Sequence, residues 1–397
     1  MSREPKPKSR ANGEGSIYEE RRKGAVTGRW IAEIVVGLTP DGKKKVMRHY
    51  APSQKKARTW LTEQLKDRDD GILVDPSKDT LSKWLATWVK TIAAHSVKQS
   101  TLAHYEKIVA TYVDPYIGGV TMDKLMPFHV QTLYHELISR KLSGRTVRHV
   151  HNCLHRALGV AKTIQMVKIN VTAHVEPPKV VKQQMKVLDP EQAARFLEEA
   201  RGDRLYPLYL LAVQLGMRIG EIMGLRWEDI DFREGTLTVN QTLINVKGRM
   251  AFDTPKTKMS QRTLDIPAHV LSILKKWKIE QNREKLRLGD AEAWAHPELV
   301  FSTQIGTPLH SSNLRTRSFN VLLERAGCPR IRIHDLRHTA LTHMGRMGLG
   351  PKEIQEIAGH SDVSVTFGIY GHTFREQKKA AAQKIDDFWQ TAHTKAR

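Results

Sequence analysis

Six polar side chains in the second half of the chain stand in settings suited to phosphate chemistry: Arg218, Lys256, His334, Arg337, His360 and Tyr370. Arg218 lies in Gly216-Met217-Arg218-Ile219-Gly220-Glu221, between two helical stretches. Lys256 lies in Thr254-Pro255-Lys256-Thr257-Lys258, which reads as a turn between strands. His334 and Arg337 share His334-Asp335-Leu336-Arg337-His338-Thr339, just before a helix, and Gly359-His360-Ser361-Asp362 leads to Tyr370, ten residues beyond His360. Transfer of a phosphodiester puts extra negative charge on two non-bridging oxygens, which a protein stabilises by position and charge. Two guanidiniums suit that role, because each carries a rigid fork of donors and stays charged; Arg218 and Arg337 are the candidates. A phenol is a weak nucleophile at its resting pKa of about 10, so cationic neighbours must favour the phenolate as it forms. Tyr370 is the candidate nucleophile.

One His-x-x-Arg means little in a basic protein. Five ordered elements ending in Gly-His-x9-Tyr are specific, and together they resemble the tyrosine recombinase, or phage integrase, family. The resemblance implies attack by Tyr370 on phosphorus, a 3′-phosphotyrosyl link and a free 5′-hydroxyl. It makes Lys256 the acid for the leaving oxygen, with Lys258 its competitor two residues on. His334 and His360 would hydrogen-bond the phosphate and assist proton transfer, and Glu221 or Asp335 would orient the arginines. The bond energy is kept in the phosphotyrosyl link, so no metal, ATP or other cofactor is expected. The implied partners are double-stranded DNA with core-type and arm-type sites and copies of this chain as a homotetramer passing through a four-way junction. A host DNA-bending protein and an excision, or directionality, factor would join them where needed.

The elements that must position these groups divide the chain into three expected domains: 1–71, 80–175 and 187–397. Together they make a multidomain fold: a small β-sheet with one helix, an all-α core-binding domain, and a mainly helical α/β catalytic domain. After a basic arm, strands are expected at 16–20, 29–36 and 43–50, split by Lys23-Gly24 with Gly28 and by Pro40-Asp41-Gly42. A helix follows the cap Ser53. Gly13-Glu14-Gly15-Ser16-Ile17-Tyr18 and Gly28-Arg29-Trp30 resemble the arm-binding domain of phage and conjugative-transposon integrases, with Arg10, Arg29, Lys43, Lys44 and Lys45 as expected DNA contacts. Leu81, Trp84, Leu85 and Trp88 repeat at helical spacing and open the all-α domain. Its helix over 144–163 carries Arg145, Arg148 and Arg156, read as facing DNA. His149, His151, Cys153 and His155 on the same helix are not read as a metal site, since neighbours two apart do not face one another. The catalytic domain is expected to hold a strand at 236–240, a hairpin across 252–266, and a tail helix that packs on its own domain or on a neighbouring protomer.

The whole composition agrees with a nucleic-acid partner. Across 397 residues, 64 Lys and Arg oppose 42 Asp and Glu, for a net charge of +22, while 40% hydrophobic content suffices for packed cores. Such a surplus attracts polyanions, nucleic acid before an anionic membrane surface. The basic N-terminus has no apolar stretch of the secretory kind, and no run is long enough to cross a bilayer. Two cysteines, Cys153 and Cys328, provide no disulfide framework and suit a reducing bacterial cytoplasm. A missing GxxxxGK[ST] loop excludes a P-loop ATPase. Two rivals remain: a regulator that binds DNA without cutting, and a relaxing type IB topoisomerase. The intact six-residue set opposes the first and the separate arm-binding module the second. If 6–10 phosphates are neutralised, affinity for duplex DNA falls roughly 10³–10⁵-fold between 50 and 200 mM salt, measurable by gel shift across a salt series.

Overall fold

The computed structural model describes residues 14–22, 25–38, 41–69, 78–180, 185–254, 261–289, 293–362, 382 and 385–392. The chain forms two compact units, residues 1–182 and 183–397. The first unit opens with an antiparallel sheet of β1 (Ser16–Arg22), β2 (Ala25–Leu38) and β3 (Lys44–Ala51), in that order. Helix α1 (Gln54–Asp69) starts where Ser53 Oγ accepts the Lys56 backbone N–H at 3.4 Å. It packs Ala57 and Leu61 on Ala32, Ile34 and Ala51. Gly15 must be glycine: its φ is +66°, and a Cβ there would lie 2.5 Å from the Glu33 carbonyl oxygen.

Gly28 does not separate two strands. It lies inside β2 at φ +72°, where residues 27–29 face the single Glu20. A left-handed glycine serves a bulge as well as a turn, which is why its sequence signal is the same in both.

The rest of this unit is helical, led by α2 (Leu81–Thr87), α3 (Gln99–Ile108), α4 (Pro127–Ser139) and α5 (Gly144–Thr163). Thr80 and Ser143 cap α2 and α5 through their hydroxyls. Leu81, Trp84, Leu85 and Trp88 share one core with Val147, Val150, Cys153 and Leu154 of α5. Burial pushes the Cys153 thiol up to about 12, so it is an inert core group. His151 bonds Tyr134 and His155 bonds Thr172, both at 2.8 Å. Among the described residues no cluster could hold a metal ion, and no helix is long and apolar enough to cross a membrane.

The second unit begins with α6 (Pro190–Ala200), capped reciprocally by Asp189 and Gln192. Then α7 (Tyr206–Leu210) runs on through a π-helical turn, Leu211–Leu215, to a left-handed Gly216. In the core Tyr209 stacks on Phe319, and Phe196 meets both rings edge-on. After α8 (Ile219–Met223) come β4 (Ile230–Asp231), β5 (Thr236–Val239), β6 (Thr242–Val246), β7 (Arg249–Asp253) and β8 (Arg262–Asp265). Helices α9 (Ala268–Arg287), α10 (Asn320–Arg325), α11 (Asp335–Arg346) and α12 (Pro351–Ala358) follow.

The expected hairpin across 252–266 does not form. Strand β7 pairs with β6 in a two-stranded ribbon, whereas β8 pairs with β5 in a separate sheet ordered β4-β5-β8. The reason is the two-residue turn Lys247-Gly248, with φ of 52° and 86°. Positive φ at both positions matches the twist of a tight hairpin and joins β6 to β7. The strands before and after the Lys256 segment therefore belong to different sheets.

Helix α8 lies close on β6 because Gly220 and Gly224, one helical turn apart, lack side chains. A Cβ on Gly224 would come 2.9 Å from the Leu243 backbone nitrogen, which cannot give way as a side chain would. Gly224→Ala is expected to destabilise this unit by about 1–3 kcal/mol through overpacking. Gly202→Ala, where nothing lies within 4 Å, should leave the thermal melt unchanged or slightly raised. Thermal denaturation of the two variants checks the contrast.

Candidate active site

Two helix ends and one buried carboxylate place the two arginines. Arg218 is the N-cap residue of α8, and Glu221 on its first turn reaches back to it. The Arg218 backbone N–H donates to Glu221 Oε2 at 3.0 Å and its Nη1 donates to Oε1 at 2.7 Å. Nη2 donates to the Gly359 carbonyl at 3.2 Å. Arg337, on the first turn of α11, is only 3% exposed. Its Nη1 donates to the Gly216 carbonyl at 2.8 Å; its Nη2 donates to the Ala358 carbonyl at 2.6 Å and to His360 Nε2 at 3.0 Å.

Gly216 and Gly359 are left-handed, at φ +64° and +62°, and close the ends of helical segments. The carbonyls at such ends carry partial negative charge and suit a cation. A Cβ on Gly216 would lie 3.0 Å from Leu341 of α11. The same glycine therefore lets α11 approach and presents the acceptor for Arg337.

Gln355 fixes His360 from the other side. The His360 backbone N–H donates to the Gln355 carbonyl at 3.2 Å, and Gln355 Nε2 donates to the His360 carbonyl at 3.1 Å. A guanidinium can only donate, so His360 Nε2 accepts from Arg337 and the ring proton sits on Nδ1. Burial, then the charges of Arg337 and Arg218, hold the His360 pKa down at about 4. Burial, then His334, hold His338 at about 4 as well, and His334 is lowered by burial and by Arg337. The imidazoles are neutral near neutral pH. An anion placed among these cations opposes their charge and raises the imidazole pKa values.

Glu221 is 4% exposed and still ionised. Burial raises its pKa, but the hydrogen bonds and charge of Arg262, with the charge of Arg218, outweigh that and hold it at about 2. Arg262 is the residue that sequence reasoning missed. Its Nη1 and Nη2 donate to the two Glu221 oxygens at 3.2 and 2.9 Å, and its Nε donates to the Ile357 carbonyl at 2.6 Å. The alternation Arg262, Leu264, Ile266 contained the signal: its second and third members are buried, and a charge on that face needs a partner.

Asp335 does not orient the arginine pair. It accepts from the Arg332 backbone N–H at 2.8 Å and from Arg332 Nη2 at 2.7 Å, fixing the approach to α11. His343 donates to the Leu188 carbonyl, while Thr339 Oγ1 accepts the Leu188 N–H, so both are packing groups. Lys256, Lys258, Tyr370 and Arg10 lie outside the described residues. Arg29, Lys43, Lys44, Lys45, Arg145 and Arg156 are exposed and Arg148 is half-buried. Arg148 donates to the Pro178 carbonyl, and Arg156 to Tyr105 and Ser96, which holds their guanidiniums within the first unit.

A model of the phage integrase family matches residues 186–377, and a model of the phage integrase N-terminal SAM-like domain matches residues 80–138. A tyrosine recombinase XerC-like protein of Caldanaerobacter subterraneus subsp. tengcongensis is 29% identical over 373 residues, 90% of this chain and 95% of its own length. An integrase of Streptomyces ambofaciens is also 29% identical, over 96% of this chain and 97% of its own. Among solved structures, the Tn1549 transposon integrase in complex with a circular intermediate DNA aligns with a TM-score of 0.63 at 19% identity, over 76% of this chain and 99% of that one. This chain belongs to the phage integrase family of tyrosine recombinases, enzymes that cleave and rejoin DNA strands at specific sites.

The lowered histidine pKa values have a consequence for stability. Above pH 6.5 these rings are neutral whether the chain is folded or not, and their contribution is fully present. Between 6.5 and about 4 the unfolded chain takes up protons that folded His338 and His360 refuse, so stability falls through that window. Melting temperatures over this pH range should decline for the wild type and decline less steeply for His360→Asn.

Proposed function

We propose that this chain is an integrase that inserts, and also excises, a mobile element by two rounds of strand exchange. In each round the Tyr370 oxygen attacks the scissile phosphorus and the bond to the 5′-oxygen breaks. The protein is left joined to the 3′-phosphate. Lys256 supplies the proton that the departing 5′-oxygen takes up. The phenol proton passes to the neutral imidazoles beside the phosphate, whose pKa values rise as the anion enters. Arg218 and Arg337 hold the two non-bridging oxygens. Rejoining is the reverse, with a 5′-hydroxyl from the partner strand as nucleophile.

The observation that carries this reading is the arginine pair, held by Glu221 and by the carbonyls of Gly216, Ala358 and Gly359. Such donors are aimed before substrate arrives, so stabilising the transition state requires little reorganisation. A regulator that only bound DNA would have no use for one buried and one half-buried guanidinium fixed so closely by a carboxylate and helix-end carbonyls.

Recombination of this kind calls for three modules, with 1–71 engaging arm-type sites, 80–175 and 187–397 together engaging the core site, and a homotetramer formed on DNA. The enzyme would act in a bacterial cytoplasm, with a host bending protein and a directionality factor where its sites require them. The exposed bases Arg29, Lys43, Lys44 and Lys45 suit arm-site contact, and Arg145 with Arg148 and Arg156 suits the core site.

The test is adduct trapping on a nicked duplex that carries the junction flanking the gene, in EDTA and without ATP. Wild type should give an SDS-resistant protein–DNA adduct and Tyr370→Phe none. Arg218→Ala should slow adduct formation by about 10²–10³-fold, the usual loss for one donor to a developing charge. Site-specific binding with no adduct from wild type favours the regulator, and an adduct from Tyr370→Phe moves the nucleophile elsewhere.

A further inference from the structure

Arg262 takes no direct part in the chemistry above. Its side chain is 7% exposed, and its Nε, Nη1 and Nη2 are engaged by the Ile357 carbonyl and the Glu221 carboxylate. Yet its three anchors lie on the elements that carry the chemistry. It is the first residue of β8, just beyond the segment with Lys256; it grips Glu221 of α8; and it grips the Ile357 carbonyl on the last turn of α12.

We propose that Arg262 is a positioning residue for DNA cleavage, acting through Glu221 and the end of α12 to fix the Arg218 guanidinium. The hydrogen bonds support this atom by atom. Glu221 Oε1 accepts from Arg218 Nη1 and Arg262 Nη1, while Oε2 accepts from Arg262 Nη2 and the Arg218 backbone N–H. The carboxylate thus receives four donors, which fills its capacity and fixes its plane. The two-toothed grip of Arg262 sets that plane, and the plane sets the direction in which Oε1 pulls Arg218 Nη1.

The second anchor of Arg218 is the Gly359 carbonyl, two residues after Ile357. By holding Ile357, Arg262 fixes the turn from which that carbonyl projects. Both ends of the Arg218 fork therefore trace back to one buried side chain. Lysine keeps the charge but has no planar fork, so its single nitrogen cannot reproduce the paired grip on the carboxylate together with the reach to the carbonyl.

This inference rests on Arg218 being the phosphate ligand, and the experiment separates the two. Full-length wild type and Arg262→Lys would be compared in single-turnover cleavage of the nicked duplex at saturating DNA, well below their melting temperatures. Arg262→Lys should cleave about 10–100-fold more slowly, with DNA affinity within about threefold of wild type, since only a preorganised contact to developing charge is lost. On a duplex whose scissile phosphate is an uncharged methylphosphonate, Arg218 has less charge to neutralise, and the slowdown should shrink to under about threefold.

Glu221→Gln should show the same dependence on substrate charge, and the double variant should be no slower than the slower single one, because the two act through one path. That variant also keeps the test open should Arg262→Lys not fold. Wild type that forms no adduct overturns the reading of the site and this proposal with it. Wild type that cleaves, with Arg262→Lys equally fast, equally slowed on both substrates, or multiplicative with Glu221→Gln, overturns the role of Arg262 alone.

Discussion

Glu221 is a carboxylate taken almost entirely out of water and kept ionised, and the catalytic half is arranged around that constraint. An isolated buried carboxylate would take up a proton. Here four donors from Arg218 and Arg262 surround it, and the balance falls far on the side of the anion. The carboxylate in turn lets two guanidiniums share one small region. Breaking such a pair from one side leaves an unpaired buried charge, which costs far more than the intact pair contributes. The grouping therefore behaves as a unit, linking α8, β8 and, through the Ile357 carbonyl, α12.

The remaining polar groups follow from having cations in that place. Arg337 is held by backbone: its guanidinium points at the carbonyls of Gly216 and Ala358, at the ends of two helical segments. Those ends need left-handed glycines, so the backbone chemistry of Gly216 and Gly359 is part of the site. Burial, and then the charge of the neighbouring arginines, keeps His334 and His360 neutral. In the proposed reaction, a scissile phosphate entering this field would find its ligands there and make the imidazoles better bases, so that binding and proton transfer would be coupled through one set of charges.

Much of this was legible from the chain, and the reasons differ by element. Helix α5 was readable to its last residue because Ser143 caps it and Val147, Val150, Leu154 and Leu158 keep its period. The β6–β7 ribbon was not, since Lys247-Gly248 lacks the usual Asn-Gly or Asp-Gly turn signal. Gly28 read as a turn because a bulge asks for the same residue. The arginines and histidines of the site stood out by type and spacing, but their acceptors did not. Backbone carbonyls occur at every position, so nothing in the letters at 216, 358 or 359 marks them as ligands. Glu221 and Asp335 looked equivalent at sequence level, each three residues beyond an arginine; only the packing shows that one serves Arg218 and the other Arg332.

The measurement closest to the central claim is the titration of Glu221 itself, followed by the carboxyl ¹³C resonance of glutamate-labelled protein, with Glu221→Gln identifying the signal. The resonance should stay at its ionised position at every pH where the protein remains folded, moving only as pH approaches about 2. A Glu221 that takes up its proton near the ordinary value of 4.5 or above, in protein still folded, would contradict the account, because Arg218 would then have no fixed charge to hold it in place.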